Sequence, residues 1–348
     1  MKVGYIGVGN MGGPMCRNII KKSNHAVTVF DLNPAAVKTC TDLGATAAKS
    51  VAEATKGADI VMTSLPMPRD VEAVTLGDNG ILANIGKGQT YIDLSTNAPS
   101  MVKKIGAAMA AKGIAMLDAP VSGGTVGAEA ATIAIMVGGD KKVFDDALPV
   151  LQSFSANVIH MGELGTGTVA KLVNNMMAFC NAAAAAEGLM LGVTAGLDPR
   201  KLIQVIASSS GNSHSFKSFS ERALKGEFTP PSFALNLAHK DLHLAMELAD
   251  ELDVPLPQGS ATHNLQRMAR GMGLGAADSS SILRVYEPVL GRTISHDGSV
   301  SHWSRFSTHL VVPRGVPQTV PQIALNSLTG RQNPELPSCA TGARCSAS

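Results

Sequence analysis

Short apolar, β-branched runs alternate with segments of helical periodicity in the first half of the chain. The spacing predicts helices over residues 34–43 and 99–112, each with a proline in its first turn. Such alternation is typical of right-handed βαβ units and predicts a parallel sheet. The predicted strands cover residues 2–6, 26–30, 59–65, 89–94, 114–118, 132–137 and 157–160.

The pattern changes near Gly162. Residues 168–195 are rich in alanine and predict one long helix, and no strand pattern appears in the helical segments that follow. From about residue 293 the chain is rich in Ser, Pro, Thr and Gly and loses all periodicity, which is typical of a disordered or loosely attached tail; a lineage-specific extension or a frameshift explains the same pattern. We therefore predict an α/β domain (1–162), an all-α domain that begins with a long interdomain helix (163–292), and a tail (293–348). The further predicted helices cover residues 198–207, 233–252 and 258–271.

Composition narrows the class of protein without identifying it. The 348 residues are 45% hydrophobic and 16% charged, which allows a sizeable core in each of two domains. The net charge of +2 gives no reason to expect a nucleic-acid partner, and five scattered cysteines fit poorly with a disulfide framework. No apolar run reaches the roughly 18 residues of a membrane span, and no leader precedes the first strand. These features predict a cytoplasmic protein with no membrane partner.

A glycine-rich motif, GVGNMG, occupies residues 7–12 between the first strand and a helix. Gly7 allows the tight turn, Gly9 lets the backbone approach a pyrophosphate, and Gly12 allows close packing of the helix on the strand. With 35 glycines in the chain the pattern can arise by chance, so its position between strand and helix is what favours the motif. The sequence therefore predicts a Rossmann-type, doubly wound dinucleotide-binding domain.

The second predicted strand ends at Asp31, 19 residues beyond Gly12. A carboxylate at this distance binds the adenosine ribose hydroxyls and repels a 2′-phosphate. No arginine follows within the next few positions, so NAD is favoured over NADP, although NADP stays possible. The alternative is that Asp31 merely caps the next helix, but Asn33, immediately before Pro34, is better placed for that role.

Four segments together resemble the β-hydroxyacid dehydrogenase family of 3-hydroxyisobutyrate dehydrogenase-like and 6-phosphogluconate dehydrogenase-like enzymes. They read GVGNMGGPM at 7–15, DAPVSGG at 118–124 continuing to IMVGG at 135–139, GTGTVAKLVNN at 165–175, and KDL at 240–242. Their order and spacing match across about residues 1–292, and the combination is more specific than any one of them. Ala131 stands where the family usually has glycine, and the tail finds no counterpart.

The resemblance implies that Lys171 is the general acid/base and that Asn175 positions the substrate. The two residues are four apart on a predicted helix and share one face. A lysine with its ordinary pKa of about 10.4 is a poor base at neutral pH, so burial or a nearby cation such as Lys240 must lower that pKa. Without the resemblance, Lys171 reads as a surface charge and Asn175 as a structural amide.

The resemblance also implies the binding residues. Pro66 and Thr96 follow the third and fourth strands, where they are equally explained as turn residues, and Phe233 is explained either as a core aromatic or as a neighbour of the nicotinamide. The expected substrate-binding residues are Ser122, Gly123, Gly124 and Asn175, and the expected cofactor-binding residues are Gly7, Gly9, Asn10, Met11, Gly12, Asp31, Pro66, Thr96 and Lys240.

The implied reaction is hydride transfer between NAD(P) and a 3-hydroxy acid, with 3-hydroxyisobutyrate as the first choice of substrate. Reduction of 2-hydroxy-3-oxopropionate (tartronate semialdehyde), glyoxylate or succinic semialdehyde is the alternative. Imine reduction uses a similar fold, but Lys171 argues against it, and the Lys171–Asn175 pair argues against a non-catalytic dinucleotide-binding module. The family implies a homodimer or homotetramer. No metal is expected, because His239 and His243 have no third ligand near them in sequence.

Overall fold

The computed structural model describes residues 1–294 and the backbone of residues 300–302. Its larger sheet runs in the order β3-β2-β1-β4-β5-β6-β8-β7, with β9 also paired to β8. The first six strands pair in parallel, as does β8 with β9. The strands of this sheet are β1 (Lys2–Ile6), β2 (Ala26–Phe30), β3 (Thr46–Ala47), β4 (Ile60–Thr63), β5 (Thr90–Asp93), β6 (Ala115–Asp118), β7 (Val121–Ser122), β8 (Ala134–Gly138) and β9 (Asn157–Gly162).

One edge of the sheet differs from the prediction. Strand β8 runs antiparallel to both β6 and β7, so the expectation of a wholly parallel sheet is wrong there. The link from β7 to β8 covers only residues 123–133, which is short for a parallel crossover. The strands β3 and β7, each two residues long, were too short to be detected by periodicity.

Helices cover both faces of this sheet. Alternate residues of β1 enter different hydrophobic clusters, with Tyr5 on one side and Ile6 on the other, as the period of two requires. The N-cap of α2 is Asn33, whose side chain accepts a hydrogen bond from Ala35 N at 3.0 Å. The α/β class with a doubly wound dinucleotide-binding fold is thus confirmed. The helices here are α1 (Gly12–Lys22), α2 (Pro34–Thr41), α3 (Val51–Thr55), α4 (Pro68–Leu76), α5 (Ile81–Asn84), α6 (Pro99–Ala111), α7 (Gly124–Ala130) and α8 (Lys141–Gln152).

The rest of the described chain is mainly helical, as predicted. Helix α9 packs on β8 at its beginning and against α11, α12 and α13 along its length. It therefore connects the sheet to a second hydrophobic core, a cluster of buried side chains that includes Leu189, Phe219 and Leu265. The helices are α9 (Thr166–Thr194), α10 (Pro199–Ala207), α11 (His214–Lys225), α12 (Leu235–Glu251), α13 (Pro257–Gly271) and α14 (Glu287–Leu290), with 3-10 turns at Leu274–Ala276 and Ser279–Val285. Strand β9 ends at Gly162, and the domain boundaries given above stay a prediction.

Helix α9 corrects one expectation. By length and composition it is apolar enough to cross a membrane, the one helix of residues 1–294 that meets this test. Asn181 and Glu187 interrupt the apolar residues of this helix, so a criterion of an uninterrupted apolar run does not reveal it. Core helices pass the same test, and Leu189, Met190 and Val193 of α9 lie in the second hydrophobic core. The helix is therefore weak evidence for a membrane span.

The start of the predicted tail is also corrected. Strand β10 (Arg292–Ile294) pairs antiparallel with β11 (Val300–His302). Ile294 is only 3% exposed, and the Thr293 hydroxyl donates to Glu287 Oε1 at 2.6 Å. These residues belong to the fold because they pack against the helical core, a contact that periodicity cannot reveal. Residues 295–299 and 303–348 of the predicted tail lie outside the described residues.

Candidate active site

The glycine motif forms the turn between β1 and α1. Gly7 has φ +89°, and a Cβ there would overlap the Ser64 carbonyl, while a Cβ at Gly12 would overlap the Gly7 carbonyl. Nothing lies within 4 Å of the position that a Cβ would take at Gly9. The loop is thus packed tightly at its ends and open at its centre, which fits a bound pyrophosphate. Asn10 is exposed and Met11 half-buried, immediately before the first turn of α1.

Asp31 lies beside this loop at the end of β2. Its Oδ2 accepts a hydrogen bond from Val8 N at 2.8 Å, and its Oδ1 accepts one from Asn33 N at 2.8 Å. The carboxylate therefore holds the glycine loop to the second strand. Each carboxylate oxygen has a further lone pair, so these bonds leave acceptor capacity for ribose hydroxyls.

Lys171 lies in the second turn of α9 and is only 7% exposed. The buried Asp118 at the end of β6 accepts hydrogen bonds from Gly165 N at 2.7 Å and Thr168 N at 2.6 Å. These bonds cap the first turn of α9 and tie it to the sheet. Asp118 therefore sets the position of Lys171 relative to the carboxyl end of β6.

Asn175 joins α9 to α12. Its Nδ2 donates to Asp241 Oδ2 at 2.7 Å, and both side chains are buried. Asp241 Oδ1 lies 2.9 Å from Lys240 Nζ, an ion pair rather than an aligned hydrogen bond. Asn174 continues the network, because its Nδ2 donates to Asn175 Oδ1 at 3.1 Å and to Ser122 Oγ at 3.3 Å.

Lys240 spans from α12 to the sheet. Its ammonium donates to the Pro66 carbonyl at 3.1 Å and to the Thr96 carbonyl at 2.9 Å. Pro66 and Thr96 follow β4 and β5, so the contact lies at the carboxyl edge of two neighbouring parallel strands. Ligands of open α/β sheets bind at this edge.

Ser122 ends β7, and Gly123 and Gly124 follow it into α7, with φ values of +136° and +64°. The Ser122 hydroxyl faces α9 through Asn174, as described above. Segments far apart in sequence therefore meet around Lys171 and Asn175. A chain of polar contacts runs from Ser122 to the carbonyls of Pro66 and Thr96, and its members are Asn174, Asn175, Asp241 and Lys240. The glycine loop lies at the end of β1, which is paired with β4.

Two family models match most of the described chain. Residues 2–162 match the family model described as the NAD binding domain of 6-phosphogluconate dehydrogenase. Residues 165–286 match the model described as NAD-binding of NADP-dependent 3-hydroxyisobutyrate dehydrogenase. The 2-(hydroxymethyl)glutarate dehydrogenase of Eubacterium barkeri is 40% identical over 296 residues, which cover 85% of this chain and 98% of that protein.

The chain belongs to the β-hydroxyacid dehydrogenase family. The 3-hydroxyisobutyrate dehydrogenase of Pseudomonas aeruginosa is also 40% identical, over 82% of this chain and 98% of its own length. The crystal structure of the Salmonella typhimurium 3-hydroxyisobutyrate dehydrogenase has a TM-score of 0.75 at 30% identity and covers 82% of this chain and 99% of that one. The chain is therefore an NAD(P)-dependent 3-hydroxyacid dehydrogenase with an N-terminal Rossmann-type fold, as the sequence motifs predicted.

The electrostatics of this β-hydroxyacid dehydrogenase centre on Lys171. Burial lowers the pKa of Lys171 to about 8, the Asp241 carboxylate opposes that shift, and the Lys240 ammonium adds to it. Desolvation is thus the main reason why the pKa of Lys171 lies closer to neutral pH than that of a free lysine. No hydrogen bond of the Lys171 side chain appears within residues 1–294.

Sequence reasoning missed three polar residues of this dehydrogenase site. Asp118 caps α9, Asp241 holds Asn175, and Asn174 contacts Ser122. Each lies inside a recognised motif, and Asn174 and Asp241 adjoin the named residues Asn175 and Lys240, so the motif itself was the available signal. Phe233 stacks on Phe179 of α9 with ring centroids 6.1 Å apart, which places it among packed aromatics.

Proposed function

We propose that this protein oxidises 3-hydroxyisobutyrate to its semialdehyde with NAD. The observation that carries the proposal is the buried Lys171, whose pKa of about 8 makes its amine available as a base. Bound NAD supplies the hydride acceptor for the carbinol carbon. Oxidation of the alcohol also releases one proton, and the neutral Lys171 amine takes it from the substrate hydroxyl.

The neighbouring residues bind and orient the substrate in this proposal. Ser122 and the backbone of Gly123 and Gly124 hold the substrate carboxylate, and Asn175 orients the hydroxyl toward Lys171. The support for Asn175 is its hydrogen bond to the buried Asp241, which restricts the amide to one orientation.

The cofactor-binding residues are proposed on the same basis. Gly7, Gly9, Asn10, Met11 and Gly12 form the loop that accepts the pyrophosphate at the beginning of α1. Asp31 binds the ribose hydroxyls and favours NAD over NADP. Pro66 and Thr96 line the cofactor at the ends of β4 and β5, and Lys240 contacts cofactor or substrate from the opposite wall.

A second substrate, 2-(hydroxymethyl)glutarate, is favoured by one specific observation. The Eubacterium barkeri relative named for it is as similar to this chain as the Pseudomonas aeruginosa 3-hydroxyisobutyrate dehydrogenase, at 40% identity. Both substrates carry a hydroxymethyl group on the carbon next to a carboxylate and differ only in the other substituent. The substrate class we propose is therefore a 2-substituted 3-hydroxypropanoate.

A spectrophotometric screen tests the proposal. Appearance of NADH or NADPH is measured with 3-hydroxyisobutyrate and with 2-(hydroxymethyl)glutarate, and cofactor oxidation is measured with 2-hydroxy-3-oxopropionate, glyoxylate and succinic semialdehyde. We expect the highest kcat/KM with 3-hydroxyisobutyrate and NAD. Reduction of glyoxylate or succinic semialdehyde does not yield a 2-substituted 3-hydroxypropanoate. A higher kcat/KM with either of these two aldehydes would therefore contradict the proposed substrate class.

We also propose that the enzyme is a cytoplasmic homodimer or homotetramer. Apolar side chains on one face of α9 support an assembly, because Val173, Met177 and Leu191 are 45%, 56% and 73% exposed. Light scattering after gel filtration measures the assembly, and cell fractionation measures the compartment. A monomer at micromolar concentration would contradict the proposed assembly.

A further inference from the structure

Three histidine side chains of helices α12 and α13 stack on one another. His239 and His243 lie four residues apart on α12, and α13 supplies His263, which the sequence did not bring near them. The ring centroids of His239 and His263 are 4.4 Å apart, those of His243 and His263 are 5.6 Å apart, and those of His239 and His243 are 6.3 Å apart. Within residues 1–294 no group of three such side chains is placed to hold a metal ion.

Two arginines of α13 complete what we call the histidine–arginine cluster (His239, His243, His263, Arg267 and Arg270). Arg270 Nη1 lies 3.1 Å from His239 Nδ1 and 3.2 Å from Nε2, and Arg270 Nε donates to Asn236 Oδ1 at 2.9 Å. Burial, followed by Arg270, His263, His243 and Arg267, lowers the pKa of His239 to about 4. Burial, followed by His243, Arg267 and Arg270, lowers the pKa of His263. The cluster therefore contains groups that repel one another when charged.

The cluster has an excess of hydrogen-bond donors over acceptors. The carboxylate that pairs with it among the described residues is Glu247, whose Oε1 lies 3.4 Å from His243 Nε2. His263 Nε2 is buried and has no hydrogen-bond partner within the described chain. Two guanidinium groups and three imidazoles thus meet one carboxylate, and an anion with several acceptor oxygens would correct the imbalance.

We propose that the histidine–arginine cluster binds a phosphate-type dianion, either free phosphate or a phosphate monoester. The planar guanidinium groups match the oxygens of such an anion, and imidazoles gain donors when they are protonated beside it. The cluster differs from the candidate active site, because Lys240 and Asp241 of the same helix contact the sheet and Asn175 instead. The proposal goes beyond the dehydrogenase reaction and does not depend on the substrate assigned above.

Proton linkage follows from the direction of the histidine shifts. A bound dianion raises the pKa values of His239 and His263, which the cluster lowers in its absence. Above the second pKa of the anion, about 6 for a phosphate monoester, the free anion is already a dianion, so binding takes up protons and the affinity rises as the pH falls toward that pKa. Heat measured in buffers of different ionisation enthalpy reports this uptake directly.

Isothermal titration calorimetry with inorganic phosphate tests the site in the full-length protein saturated with NADH, so that the glycine loop is already filled. We expect saturable binding that tightens as the pH falls toward, but not below, the second pKa of the anion. Arg267→Gln should weaken the binding on the order of tenfold, since one charge-assisted contact is lost. Arg200→Gln, a matched change of an exposed arginine on α10, should leave it unchanged. His263→Gln should reduce the proton uptake, because it removes one of the two imidazoles whose pKa the bound anion raises.

A parallel titration with glycerol phosphate separates the two sources of the anion. Tighter binding of the monoester indicates a phosphate ester as the ligand, and binding of inorganic phosphate alone indicates the free ion. The proposal is overturned if neither gives saturable binding, if saturating NADH abolishes the binding found without it, or if Arg267→Gln and Arg200→Gln bind phosphate equally well.

Discussion

Replacement of Lys171 by alanine is the most direct test of the proposed mechanism. The side chain is 7% exposed, and burial lowers its pKa from the ordinary 10.5 to about 8. At neutral pH this shift raises the neutral amine fraction about 300-fold, to roughly one-tenth, which corresponds to about 3 kcal/mol. A positioned proton acceptor contributes about 10²–10⁴-fold to the rate. We therefore expect Lys171→Ala to lower kcat by about that factor.

The assay is the initial rate of NADH formation as a function of pH. In the wild type the oxidation rate should rise through pH about 8, because the neutral amine is the active form and its fraction grows as the pH passes that pKa. The same limb should be absent in Lys171→Ala. NADH binding, followed by fluorescence energy transfer, should change little, because Lys171 is assigned no contact with the cofactor.

Two further variants separate chemistry from packing. Lys171→Met keeps an apolar chain of similar length without the ammonium, so it should fold like the wild type and be as slow as Lys171→Ala. Lys171→Arg should not restore the rate, because a guanidinium cannot give up its proton near neutral pH. A near-normal kcat in Lys171→Met would refute the assignment and make Lys240 the next candidate. Loss of NADH binding would instead make Lys171 a binding residue.

Three other predictions concern neighbouring features. Asp241→Asn should move the rising limb of the pH–rate profile below pH about 8, because Asp241 raises the pKa of Lys171, and a limb that stays or moves upward contradicts this. Truncation after Arg292 should lower the Tm by about 5 °C, because it removes the buried Ile294. Truncation after His302 is the control and should leave the Tm and kcat unchanged. An equal Tm for the two truncated proteins would show that β10 contributes nothing to the stability of the fold. Wild-type kcat/KM should be higher with NAD than with NADP because of the Asp31 carboxylate, and the reverse preference would remove Asp31 as the selecting residue.

Local sequence patterns determined much of this protein. The short apolar run of β1, the glycines at 7–12 and the cap Asn33 are each decided by residues a few positions apart, so they were predicted from the sequence alone. The family motifs added Lys171 and Asn175, because their spacing of four places them on one face of α9. Helix α11 was not predicted, and the two-residue strands β3 and β7 were too short to show a period.

Only the tertiary structure decided the environment of these residues. Asn175 meets Asp241 66 positions away, and Lys240 reaches the carbonyls of Pro66 and Thr96, 174 and 144 positions away. The burial that lowers the pKa of Lys171 and the approach of His263 to α12 arise in the same way. Periodicity records which face of an element is buried, whereas the partner on that face depends on how helices and strands distant in the chain pack together. The sequence therefore determined which groups are present and on which faces they lie, and packing decided which of them touch.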